Sequence, residues 1–170
     1  MGGPARLRLC YCTTTSRKPG YRSAAQLVLY CPDPMTFYLA KTEPGTYSID
    51  DLHRDQHTLW DGVTNAQAVR AILAMVPGDK VFIYHSGGVS SIVGLAVVQT
   101  AGKPDPKNPK SAVVKLEFAA KLDPPTTLAD VKGSKLFDDW ALVRQSRLST
   151  MAAPETFVTW MRKRYPKSKI

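Results

Sequence analysis

The stretch Ile92 to Val98 is the longest apolar run in the chain, and it is only seven residues long. That length suits a buried strand and falls far short of the ~18 to 20 continuous apolar residues of a membrane helix. No membrane partner is expected. The segment Lys80 to His85 before it is also apolar and β-prone, and Gly87-Gly88 lies between the two. Two such runs joined across glycines predict an antiparallel hairpin, Lys80 to His85 with Ser91 to Thr100. A chain of 170 residues has room for one domain around that hairpin and little more. Its 44% hydrophobic and 22% charged residues are ordinary globular values, so a true core is expected.

The flanking segments mix strands with short helices. Thr36 to Lys41 is β-prone and ends at Pro44-Gly45. Ser48 with Asp51 three residues on resembles a capping box and predicts a helix through about Arg54. Trp60-Asp61-Gly62 reads as a loop. Asn65 predicts the cap of a helix running to Met75, with Ala66, Val69, Ile72, Leu73 and Val76 as its buried face. Pro77-Gly78-Asp79 ends that helix. Lys103 to Lys110 holds three prolines and reads as an exposed loop. Ala112 to Lys121 is a strand with Val114, Leu116 and Phe118 on one face. Leu128 to Val131 forms a helical turn after Thr127. Pro154 suits the first turn of a last helix, which docks through Phe157, Trp160 and Met161. The order lacks the regular alternation of a parallel α/β sheet. The expected class is α+β, a small β-barrel decorated with short α-helices.

Net charge is +9. Residues 1–34 carry five bases, Arg6, Arg8, Arg17, Lys18 and Arg22, against the single acid Asp33. This segment is also rich in Ser and Thr, the composition of an organellar transit peptide. It reads either as a mitochondrial or other organellar presequence or as a basic N-terminal extension of a nuclear or cytoplasmic protein. Residues 35–170 form the expected domain, basic in its own right and ending in the charge-dense Arg162 to Lys169 tail. A basic surface attracts polyanions, nucleic acid above all, although many soluble domains carry such a charge for solubility alone. Cys10, Cys12 and Cys31 have neither zinc-knuckle spacing nor a nearby histidine, so no metal site or disulfide framework is expected. No cofactor is expected either.

Four segments, read together, resemble the EVE domain family. They are Lys41-Thr42-Glu43-Pro44, Trp60 to Ala68 (WDGVTNAQA), Gly78 to Ser86 (GDKVFIYHS) and Leu142 to Ser149 (LVRQSRLS). Their order and spacing are similar to that family across roughly residues 36 to 165. The resemblance implies a PUA-like barrel related to the YTH readers of methylated RNA bases. It also implies a non-enzymatic binding role toward modified bases in DNA or RNA. Two positions depart from the pattern. Thr64 stands where the family usually has Arg before the helix-opening Asn, and a threonine lacks the rigid guanidinium fork. Gly87-Gly88 stands where a polar residue is commoner.

A base reader needs a flat apolar platform, donors and acceptors for the base edge, and cations for phosphate. Trp60 is the candidate platform, or else a plug for the barrel's end. Tyr84, His85 and Ser86 lie where a strand opens into a glycine loop. His85 is a candidate donor or a satisfied strand-end histidine, and Ser86 a ligand group or a local turn bond. Lys41 shares strand parity with Phe37 and Leu39 and so tends inward, with Glu43 or a ligand anion as its partner. Thr42 belongs to the same matched segment. Asn65 is a helix cap or a base reader, and Arg144 and Arg147 flank Ser146 as a possible phosphate clamp.

Two other functions compete. A hydrolase built from Ser86 or Ser149, His85 and Asp61 lacks any nucleophile elbow or phosphate loop, and adjacent strand residues point apart. A small-molecule or peptide module would use the same pocket without steep salt dependence. No feature calls for a dimer, so a monomer is expected.

Overall fold

The computed structural model describes residues 35–168 and 170 of the chain. The presequence reading and the three cysteines therefore lie outside the described residues, as does Lys169.

A seven-stranded mixed sheet forms the centre. Its strands are β1 (Phe37–Thr42), β2 (His57–Val63), β3 (Lys80–His85), β4 (Ser91–Val98), β5 (Lys103–Pro104), β6 (Ala112–Thr127) and β7 (Thr150–Ala152). The order is β2-β6-β4-β3-β1-β7, with β5 also on β6. β1 and β3 are parallel and all other pairs antiparallel. The register shifts within the β2–β6, β3–β4 and β4–β6 pairs. Each extra residue bends its strand and raises local twist, which curls the sheet into a half-barrel. This is the expected small barrel with short helices.

Among the described residues, five helices decorate it: α1 (Ile49–Asp55), α2 (Ala66–Ala74), α3 (Leu128–Gly133), α4 (Ala141–Arg144) and α5 (Glu155–Arg164). The local start signals hold. Ser48 and Asp51 form the reciprocal capping box of α1, and Thr127 and Asp130 form another on α3. Asn65 caps α2, its Oδ1 accepting the N–H groups of Gln67 at 2.9 Å and Ala68 at 3.3 Å. The hairpin also holds as β3 and β4.

Several expectations need correction. The stripe that α2 buries is Ala68, Ile72 and Met75, with Val69 half-buried against the core, whereas Ala66, Leu73 and Val76 of the expected face are exposed. Leu73 and Val76 are 42% and 50% exposed. Both stripes have helical spacing, so periodicity alone does not choose between them. The choice comes from the strands α2 packs against, and the chain after β4 passes close over the helix at Gly102. A Cβ there would sit 1.8 Å from the Ile72 carbonyl oxygen, so only a glycine lets that loop pass over the helix. Trp60-Asp61-Gly62 lies within β2 and not in a loop, with Gly62 at φ 71° beside a register shift. Pro154 precedes α5 as its cap residue rather than sitting in its first turn. The elements α4 and β7 have no counterpart in the sequence reading, and β5 forms at the start of the Lys103 to Lys110 segment expected to be loop.

The core gathers around α5. Phe157 is fully buried, its ring 5.5 Å from Phe82, 5.3 Å from Phe137 and 4.5 Å from Trp140. Met161 is buried beside it, and Trp160 is half-buried.

Candidate functional site

The parallel β1 and the edge strand β2 leave a cleft of about 450 Å³ between them. The turn after β1 shapes one wall. Tyr47 and Thr46 donate their backbone N–H groups to the Glu43 carbonyl, both at 2.9 Å, which folds Tyr47 back over the strand end. Thr42 Oγ1 donates to the Tyr47 carbonyl at 2.8 Å and locks that turn. The Tyr47 hydroxyl donates to Asp55 of α1 at 3.2 Å, and burial, the largest cause, holds that phenol above its ordinary range.

Trp60 supplies the opposite wall. Its side chain is half-buried, and its indole Nε1 is buried with no hydrogen-bond partner among the described residues. An indole N–H is a donor only, and leaving one buried and unpaired costs about 1–3 kcal/mol. It is the one orphaned polar group that belongs to a residue lining this cleft. Asp61 and Glu43, both exposed, put carboxylates on the rim.

Lys41 lies at the floor. Its ammonium donates to the carbonyls of Ser146 at 3.1 Å and Gln145 at 3.3 Å, and stands 5.7 Å from the Tyr84 ring. Its partner is this loop, not Glu43, because the loop following α4 is drawn in by the 2.7 Å bond from the Lys41 backbone N–H to the Ser149 carbonyl. Partial burial lowers the Lys41 pKa from its ordinary value.

Of the residues singled out from the sequence, the cleft collects Lys41, Thr42, Glu43 and Trp60. Tyr84 is buried beneath Lys41, and Ser146 and Arg147 are exposed on the loop that Lys41 holds. The remaining groups serve the fold. Ser86 Oγ donates to the Thr42 carbonyl at 3.2 Å. Asn65 caps α2. Arg144 donates to the Asp138 carbonyl at 3.1 Å and pairs with the exposed Asp139. Sequence reading missed Thr46, Tyr47, Thr58, Leu59, Asp61 and Val63 as lining residues. Placing Trp60 on a strand would have found Thr58, which shares its parity.

His85 Nε2 accepts the backbone N–H of Ile49 at 3.1 Å, at the first turn of α1. That bond requires the unprotonated nitrogen. Burial lowers the His85 pKa, with nearby Asp50 acting weakly the other way. A histidine whose folded pKa is depressed favours the folded state fully above the unfolded value, about 6.5. As pH falls below that, the unfolded chain takes up the proton first and stability declines. The melting temperature should therefore drop between about pH 7 and pH 5. His85→Gln, which keeps an acceptor without titrating, should flatten that drop. An unchanged slope would dissociate His85 from it.

A half-barrel of mixed strands with a partly apolar cleft beside its parallel strand pair defines the PUA-like class. The chain belongs to the EVE domain family, whose model matches residues 36–164. It is 30% identical to human thymocyte nuclear protein 1 over 123 residues, 56% of this chain and 55% of that protein. It is 37% identical to the rat protein over 81 residues, 41% of this chain and 36% of that one. The chain thus spans about half or less of the length of these relatives. A solved structure of the human protein in complex with 5-methylcytosine-containing DNA superposes with a TM-score of 0.69 at 25% identity, covering 78% of this chain and 99% of that one. A Rhodopseudomonas palustris protein solved by NMR superposes with a TM-score of 0.71 at 32% identity, covering 76% and 92%.

Proposed function

We propose that residues 35–170 are a non-enzymatic nucleic-acid-binding domain that reads a modified or flipped-out base in the β1–β2 cleft. The observation that carries this reading is the half-buried Trp60 ring lining a cleft of about 450 Å³. A base inserted there meets the indole as a π-face, and stacking of this kind is worth about 1–3 kcal/mol per base. The human relative's complex with 5-methylcytosine-containing DNA favours DNA as the first ligand to test.

Catalysis fits the geometry less well. His85 Nε2 and the Ser86 hydroxyl are each engaged by the backbone, so the pair offers neither a base nor an activated nucleophile. The domain acts as a monomer in this reading. The relatives' name favours the nuclear location over the organellar one.

The test is binding of the full chain to matched oligonucleotides, with and without 5-methylcytosine or a methylated adenine, at two salt concentrations. Preference for a modified strand together with salt-weakened affinity is the expected result. Salt-independent binding would favour a small-molecule or peptide module, and equal affinity for modified and plain strands would overturn the base-reading role.

A further inference from the structure

The positive surplus of the domain is unevenly neutralised. Arg54, Lys121, Arg144, Arg162 and Arg164 each meet at least one carboxylate. Arg70, Lys132, Lys135, Arg147, Lys163 and Lys167 make no ion pair among the described residues either, but residues 101–115 concentrate four such cations, Lys103, Lys107, Lys110 and Lys115, against one acid, Asp105. All four lysines are exposed, and none makes an ion pair among the described residues. The polar side chains of the loop serve its backbone instead. Asp105 Oδ1 accepts the Lys107 N–H at 2.8 Å, and Asn108 Oδ1 accepts the Lys110 N–H at 3.1 Å.

This hairpin is held in shape. β5 pairs with β6, and the Asp105 N–H donates to the Ser111 carbonyl at 3.0 Å while the Ser111 N–H donates to the Asn108 carbonyl at 2.8 Å. Pro104, Pro106 and Pro109 restrict the backbone further. The cations are therefore presented on a preorganised support.

The hairpin also continues the wall of the cleft. Lys115 on β6 stands directly opposite Leu59 on β2, and Ala112 opposite Val63. Leu59 and Val63 both line the cleft. Lys103 pairs with Val113, which shares strand parity with Lys115, so Lys103, Lys115 and Leu59 lie on one face of the sheet. Glu117, next on that face, is engaged by Gln99. The cleft rim carries the carboxylates of Glu43 and Asp61, which repel phosphate at close range. A nucleotide with its base in the cleft must keep its phosphates outside; Lys103 and Lys115 lie on the sheet face that Leu59 shares and Trp60 does not, so the strand reaches them around the free edge of β2.

We infer that the β5–β6 hairpin is a phosphodiester track, with Lys103, Lys107, Lys110 and Lys115 holding the strand that flanks the base in the cleft. This rests on the base-reading role proposed above. The track carries no sequence information. It sets affinity and register, while the cleft sets preference.

The test uses the full chain with all four lysines changed to glutamine, titrated with plain and 5-methylcytosine oligonucleotides across a salt series. Each phosphate neutralised contributes about 0.7 to the slope of log K against log salt for a single strand and about 0.9 for a duplex. The expected slope falls by about 3, with the preference for the modified strand unchanged. A control with Lys132, Lys135, Lys163 and Lys167 changed to glutamine should lower it by less than about 1. An unchanged slope in the hairpin variant, or an equal fall in the control, overturns the track. Salt-sensitive binding that the hairpin variant weakens, but without preference for the modified strand, overturns base reading and leaves the track standing. No binding to either strand overturns both.

Discussion

Phe157→Ala should lower the free energy of unfolding by about 3–5 kcal/mol, the range for deleting a buried phenyl group from a packed core. The ring is fully buried and touches Phe82, Phe137, Trp140 and Trp160 at centroid distances of 4.5 to 5.8 Å. No single neighbour can fill the void, because those rings approach at different angles and belong to different elements. Phe157 also anchors α5 to β3 through Phe82, so its loss loosens the helix from the sheet. Urea unfolding measures the effect as a fall in midpoint with an unchanged slope. A loss below about 1 kcal/mol would mean that α5 repacks freely and that the aromatic cluster is not the centre of the core.

Trp60 provides the second large effect, and it separates a binding role from a structural one. Trp60→Ala removes the platform and should weaken binding of a base in the cleft by about 5- to 150-fold, the equivalent of about 1–3 kcal/mol. It should also abolish preference between modified and plain strands. Trp60→Phe keeps an aromatic plate but deletes the orphaned N–H. If that donor awaits a ligand acceptor, the phenylalanine variant loses affinity while its stability holds or rises, since an unpaired buried donor is removed. A purely structural Trp60 gives the opposite pattern, with stability falling and binding unmoved. Arg147→Ala offers a contrast. Its side chain is exposed on the loop that Lys41 holds, so it should weaken binding to all sequences alike.

The cleft and the hairpin divide the work by charge. Two carboxylates on the cleft rim disfavour phosphate there, whereas the four lysines of residues 101–115 outnumber the one acid of that segment, Asp105. Reading a base and holding a backbone are then separable by salt, because only the second is strongly screened.

Thr64 is the chief departure from the family pattern. It is exposed just before the Asn65 cap and lies outside the cleft lining. The cleft therefore stands on other residues, and restoring an arginine at Thr64 would add a cation near the N-terminus of α2 without rebuilding the pocket.

The sequence by itself determined those features whose physical cause is local. Ser48 with Asp51, Asn65 with Gln67 and Ala68, and Thr127 with Asp130 are contacts across two or three residues, so the residue types alone predict them. The β3–β4 hairpin was legible for the same reason, as two apolar runs with glycines between. The family resemblance located Lys41, Thr42, Glu43 and Trp60 without saying what each touches. Tertiary structure alone decided the rest. The buried face of α2 depended on packing against β6 and β7, strands distant from it along the chain. Trp60 became a strand residue because β6 pairs with it through Val114. Lys41 found backbone carbonyls more than a hundred residues on, since β7 brings the preceding loop against β1. These outcomes come from long-range packing, in which several local choices of similar energy are settled by which surfaces meet, and residue spacing carries no record of that.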